Sequence, residues 1–135
     1  LNLKIIEPKF IDYAWKDGAN CLAEACEQIE EITGDQLKMI LSRGERHLVR
    51  MDGESTVGWG VFRVDQLPNM RVLYVTDLVA HNAQFELFFE QLNGMAAILG
   101  CSRIRCAAHE PQARLYRQKL GFKPVYMTLE KEVTR

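Results

Sequence analysis

Three consecutive runs decide the fold: Arg103-Ile104-Arg105-Cys106-Ala107, then Ala113-Arg114-Leu115-Tyr116-Arg117-Gln118-Lys119-Leu120-Gly121-Phe122, then Val125-Tyr126-Met127-Thr128-Leu129. They read strand, helix, strand. The helix stops at Gly121, because a glycine just past the last turn accepts the left-handed backbone that ends a helix. The last run is rich in the branched and aromatic residues that fill strands.

Working upstream, residues 84–99 form the clearest helix, with Phe85, Phe88, Phe89, Leu92, Met95, Ala96 and Leu99 on one face and Gly100 as its stop. Arg71 to Val79 is apolar on both faces, as a central strand is. Before it, His47 to Met51, the pair Asp52-Gly53 and Thr56 to Val64 read as a hairpin, and Leu67-Pro68-Asn69 marks the next turn. Gly58 and Gly60 flank Trp59, which points to a bulge or a close backbone approach. Nearer the start, Leu3, Ile5 and Ile6 suggest a short strand. Residues from about Pro8 to Ile32 read as helical, with Trp15, Leu22, Cys26 and Ile29 near a 3.6 spacing and Gly18 as a break. Gly34 is expected to end that helix. Asp35 is expected to cap a short one carrying Leu37, Ile40 and Leu41, closed by Gly44.

The bulk numbers agree with a globular protein. The chain has 135 residues, 47% hydrophobic and 26% charged, enough for one domain over residues 1–135 with a core of its own. No apolar run reaches membrane-spanning length, and the first ten residues carry charges and a proline unlike a signal peptide. A cytoplasmic protein is the expectation. A net charge of −1 argues against a general nucleic-acid binder. The charge is uneven, however. Glu24, Glu27, Glu30, Glu31 and Asp35 form an acidic stretch, while Arg103, Arg105, Arg114, Arg117, Lys119 and Lys123 form a basic one. The latter is either a solvated face or a rim for a phosphorylated ligand. The cysteine pairs Cys21/Cys26 and Cys101/Cys106 lack the spacing of zinc or redox sites. On a helix, five residues turn about 500°, which separates the first two thiols by roughly 140°. Reduced, buried thiols are expected, and no metal site.

Helices, a three-strand meander, a long helix, then strand, helix and strand is an order that resembles the GNAT superfamily of N-acetyltransferases over nearly the whole chain. The ending Cys101-Ser102-Arg103-Ile104, with Leu120-Gly121-Phe122 and Leu129-Glu130-Lys131-Glu132, is similar to that of short GNAT-like proteins of tailed bacteriophages. The resemblance implies an α/β (α+β) fold with a mixed, mostly antiparallel sheet flanked by helices and splayed after the fourth strand. It implies acetyl-CoA or another acyl-CoA as cofactor, held by backbone at the strand end Thr76-Asp77-Leu78-Val79, with the sheet parting beyond Val79. Leu78 and Val79 would hold the coenzyme and polarise its carbonyl.

The family's pyrophosphate loop, Arg/Gln-x-x-Gly-x-Gly/Ala, falls on Ala80, Ala83 and Phe85, which lack its arginine and glycines. What remains is the turn His81-Asn82-Ala83-Gln84, with Asn82 able to cap the helix, and the amide groups of the helix start. Arg114 and Arg117 are the side chains placed to meet phosphates. The family's acid, a tyrosine four residues before the closing glycine, is replaced by Arg117. Tyr116 is one residue away, either the acid on a rotated helix or a packed aromatic. Asp77 is the leading general base, to orient or deprotonate an amine. His81, His109 and Glu110 are weaker candidates, and His47 has no evident partner.

Two functions stand open. One is an acyl-CoA-dependent N-acyltransferase acting on a small-molecule or protein amine. The other is a catalytically inactive GNAT-fold structural or assembly protein of a bacteriophage particle, with other virion proteins as partners.

Overall fold

A computed structural model of the chain describes residues 2–53, 56–81 and 84–135. Five strands make one sheet in sequence order: β1 (Asn2–Ile6), β2 (His47–Asp52), β3 (Thr56–Gln66), β4 (Arg71–Ala80) and β5 (Arg103–Cys106). Neighbours pair antiparallel except β4 and β5, which run parallel. A parallel pair needs a crossover, and α4 (Phe85–Ile98) supplies it.

Both faces of the sheet are covered, and the period-two alternation of the strands decides what goes where. Leu48 and Val61 face one layer; their neighbours Val49 and Phe62 face the other. The first layer holds Ile11, Leu22, Leu37, Leu41 and Trp59, contributed by β3 and by the helices α1 (Ile11–Ala14), α2 (Cys21–Cys26) and α3 (Gly34–Ser42). The second packs Phe88, Phe89 and Leu92 of α4 against the strands, with Tyr116 of α5 (Glu110–Lys119) closing its edge. Each large side chain fully withdrawn from water is worth about 1.5–3 kcal/mol.

Several sequence expectations hold. Between α1 and α2 a wider turn spans Trp15–Ala19, and Gly18 breaks the helix there with φ 129°. The Leu67 amide donates to the Met70 carbonyl at 2.8 Å, closing the turn around Pro68. The close approach foreseen at Gly60 is real: a Cβ there would lie 2.5 Å from Phe88 Cζ. Gly121 ends α5 with φ 74°, and the Phe122 amide donates back to the Tyr116 carbonyl.

Others are corrected. The first helical region stops at Cys26, not Ile32, and Ile29 is exposed. Gly34 opens α3 and does not end its predecessor. The cap is Thr33, not Asp35, in a reciprocal box with Gln36: the Gln36 amide donates to Thr33 Oγ1 and the Thr33 amide to Gln36 Oε1. Gly34 is small for a packing reason, since a Cβ would sit 2.5 Å from Ala23 Cβ. Asp52 pairs with Thr56 within the hairpin strands, so it is not a turn residue. The helix at 110 has His109 at its N-cap and Pro111 in its first turn, at the start the sequence indicates. Most consequentially, Val125–Leu129 forms no strand. From Gly121 to Arg135 the chain runs without regular structure, turn or bend.

Candidate functional site

β4 is longer than the partner on its outer side. β5 accompanies it only from Val72↔Arg103 to Val75↔Cys106. On the other side β3 stays paired as far as Gly58↔Ala80. Thr76–Ala80 therefore presents one edge with no strand beside it among the described residues. The fork opens after Val75, earlier than the sequence reading put it. A fork of this kind leaves backbone donors and acceptors that require a partner.

The register explains the geometry beside the fork. Phe62 pairs with Val75 and Val61 with Asp77, so Thr76 is an extra residue in β4. Such a bulge bends the strand and re-aims the side chains after it. Leu73 and Val75 belong to the α4 layer. Beyond the bulge Leu78 still meets that layer, while Val79 packs into the α1–α3 layer. Asp77 is turned to the same side as Val79, where its charge is felt by Cys26 of α2 and by Arg46.

Asp77 is half-buried, and desolvation raises its carboxyl above the usual range. Two features oppose that rise: the Thr76 hydroxyl donates to Asp77 Oδ2 at 2.8 Å, and Arg46 lies near enough to attract the charge. Arg46 and Thr76 are neighbours that the sequence reading missed. Adjacency could have suggested Thr76; nothing in the sequence brings Arg46 to this strand. Cys26 is buried and its thiol is pushed up, first by desolvation and then by Asp77.

Tyr116 stands on the opposite face. Its ring meets Phe85 at 6.3 Å, Phe89 at 5.3 Å and Phe122 at 5.6 Å between centroids. Burial raises its phenol, against the influence of Gln112, and Cys106 at the end of β5 is close enough to add to the rise. Tyr116 is thus both a packed aromatic and a neighbour of the fork. Cys106 is half-buried, and desolvation pushes its thiol up to about 11.

The phosphate end is built differently. His81 is exposed, and Gln84 occupies the N-cap of α4 without a side-chain bond. Asn82 and Ala83, expected at the phosphate end, lie outside the described residues. The Phe85 ring packs inward on Tyr116. Glu86 sits in the first turn of α4 and already places a carboxylate at the positive end of the helix. Arg114 and Arg117 are exposed and share Glu110, at 3.8 and 3.0 Å. Arg117, then Arg114, holds the Glu110 carboxyl below its usual range, which suits an ion-pair partner better than a base. His47 stacks on Phe62 at 5.1 Å.

Among the described residues no cluster of metal-ligating side chains occurs, and no helix is long and apolar enough to cross a membrane. All four cysteines are free.

No family model matches the chain, and no curated protein matches it. Solved structures do. A probable acetyltransferase shares 13% identity at a TM-score of 0.69, over 100% of both chains. An aminoglycoside acetyltransferase from an uncultured soil metagenomic sample, in complex with sisomicin, shares 11% identity at a TM-score of 0.68, covering 98% of this chain and 96% of its own. A ribosomal-protein-alanine N-acetyltransferase from Brucella melitensis biovar Abortus 2308 shares 14% identity at 0.66, over 100% and 99%. The fold is the GNAT fold of these acetyltransferases, end to end.

Proposed function

We propose that this chain is an acyl-CoA-dependent N-acyltransferase that moves an acyl group, acetyl foremost, to an amine on a small molecule or a protein. The observation that carries the proposal is the open edge of β4 over Thr76–Ala80. A ligand arm that is itself a chain of amides suits such an edge, because it can pair with the strand as another strand would. The neighbours' names add weight: acetyltransferases acting on an aminoglycoside and on a ribosomal protein share this fold.

When bound, an acyl-CoA supplies a thioester carbonyl that an amine can attack. Leu78 and Val79 would hold the arm and aim a backbone N–H at the carbonyl oxygen. Asp77 would take the proton of the attacking amine, directly or through water, from the α2 side of the sheet. Tyr116, whose phenol stays protonated through neutral pH, would give its proton to the departing thiolate from the α4 side. A C–N bond forms as the C–S bond breaks. Arg114 and Arg117 would meet phosphates by exchanging Glu110 for them, and Gln84 and His81 would line the approach. The glycine turn of the family is missing here, so weak coenzyme affinity is expected. A cytoplasmic setting suits four unpaired cysteines. Nothing favours a virion part or a bacteriophage origin.

Acetyl-CoA titrated by calorimetry and by thermal unfolding tests the proposal. One site per chain is expected. At 100 times the dissociation constant the stabilisation is about 2.7 kcal/mol, a rise of about 10 °C in Tm for a chain of this size. Replacing Arg114 and Arg117 together by Ala should weaken binding about 2- to 10-fold, more at low salt. No heat and no shift at millimolar acetyl-CoA would end the proposal.

A further inference from the structure

One polar group of α5 is left unsatisfied. Gln112 Nε2 is buried and has no hydrogen-bond partner among the described residues. A buried donor without a partner is destabilising, so its place calls for one. The helix end does not use this side chain. Gln112 is the third residue of α5, where a glutamine ordinarily reaches back to the N-cap, as Gln36 does to Thr33 in α3. At His109, the N-cap of α5, there is no side-chain bond.

Helix geometry says where the amide sits. Gln112 and Tyr116 are four residues apart, about 40° around the helix and so on one face. A long side chain on a helix leans back over the turn before it, which carries the Tyr116 phenol toward Gln112. Tyr116 is buried among the rings of Phe85 and Phe89 from α4 and Phe122 beyond α5. From the sheet it faces Cys106, whose thiol stays protonated at neutral pH. The charges on the two helices look elsewhere: Glu86 and Glu90 of α4 are exposed, and Glu110 and Arg117 of α5 pair with each other at 3.0 Å. Gln112 is the polar side chain felt by the phenol, and it acts as a donor does, drawing the phenol down against the rise from burial.

Burial alone makes Tyr116 a poor acid, because the phenolate left behind is worse solvated than in water. A donor aimed at that oxygen offsets the loss. Its bond strengthens when the oxygen is charged, so it helps most at the moment the proton leaves.

We propose that Gln112 is a positioning residue for the acyl transfer: its amide donates to the Tyr116 oxygen, fixes the ring, and stabilises the phenolate formed as the proton passes to the departing sulfur. The O–H bond of Tyr116 breaks and an S–H bond forms. The negative charge moves from sulfur to the phenol oxygen until water returns a proton. This role rests on Tyr116 being the acid of the proposed transfer.

Titration of a ring-fluorinated tyrosine at position 116, read by fluorine NMR without coenzyme, tests the bond. The fluorines bring the phenol's titration down into the range where the chain is folded. Gln112→Leu should raise the midpoint by about 1–2 pH units. Gln112→Glu, of the same shape but with a charge in place of the donor, should raise it at least as far. Gln112→Leu should also keep or raise Tm, because it removes an unpaired buried amide. With the natural tyrosine, thiol release from saturating acetyl-CoA in the presence of n-butylamine should slow about 10- to 100-fold in Gln112→Leu, with acetyl-CoA affinity unchanged. A midpoint that stays put in Gln112→Leu would overturn the proposal, as would a shifted midpoint with an unchanged rate. A chain that binds no acetyl-CoA would overturn the transfer and this role in it, whereas the titration would still report the bond.

Discussion

Asp77→Asn is expected to lower turnover about 10²- to 10⁴-fold, the usual contribution of a positioned base, while leaving acetyl-CoA affinity unchanged. It should also make the protein no less stable, and more stable at neutral pH. The reason is the sign of the carboxyl's shift. Desolvation raises the Asp77 pKa above the ordinary 3.8 of its carboxyl, against the hydroxyl of Thr76 and the charge of Arg46. The native state therefore holds this proton more tightly than the unfolded state. Such a group takes stability away as pH rises from the unfolded pKa through the folded one. Asparagine keeps an acceptor for the Thr76 hydroxyl and carries no charge to desolvate. The advantage of the variant should thus be full above the raised pKa and vanish as pH falls toward 3.8. Thermal unfolding across that window, beside kcat at neutral pH, gives both readouts. A variant less stable at pH 7 would mean that Arg46 outweighs desolvation; full activity would remove Asp77 from the chemistry. The wild-type rate should climb with pH along the same limb, as the carboxylate forms.

Gly60→Ala is expected to cost about 1–3 kcal/mol, the range for overpacking a dense core. That corresponds to a fall in Tm of about 4–12 °C. A methyl group on residue 60 would lie 2.5 Å from Phe88 Cζ, 3.1 Å from Phe88 Cε2 and 3.3 Å from Val49 Cγ2. Phe88 is fully buried and edge-packed on Phe89 at 5.7 Å, so its ring has little room to move. The same methyl group on an exposed strand would be nearly neutral. Shortening the ring should relieve the clash. In a double-mutant cycle Phe88→Leu should cost less in the Gly60→Ala background than alone, with a coupling energy of about 0.5–3 kcal/mol. Additive losses would show that α4 does not press on β3 at this point.

Much of this was legible before the structure. Gly60 was suspect from its place beside Trp59, and the aromatic stripe of α4 declared its buried face by spacing alone. Gly121 ends α5 as read, because a left-handed stop is a local property. What failed was decided by distant partners. Gly34 looked like a helix stop, but Ala23 of the neighbouring helix requires its smallness and Thr33 caps the helix it begins. Val125–Leu129 has the composition of a strand, yet a strand exists only where its backbone pairs with another, and here it pairs with none. The fork in the sheet was expected, but its position was not. It depends on how short β5 is and on the extra residue Thr76, neither of which leaves a mark in the sequence. For the same reason Asp77 could be named from its strand, whereas Arg46, which tempers its charge, could not.

The most direct test of the central claim is hydrogen–deuterium exchange over β4, with and without acetyl-CoA. Free edge amides exchange through local opening, and a ligand that pairs with them slows that exchange. The expected result is protection at saturating acetyl-CoA concentrated in Thr76–Ala80, with Val72–Val75, already paired to β5, little changed. Exchange across Thr76–Ala80 that is the same with and without saturating coenzyme would contradict the account.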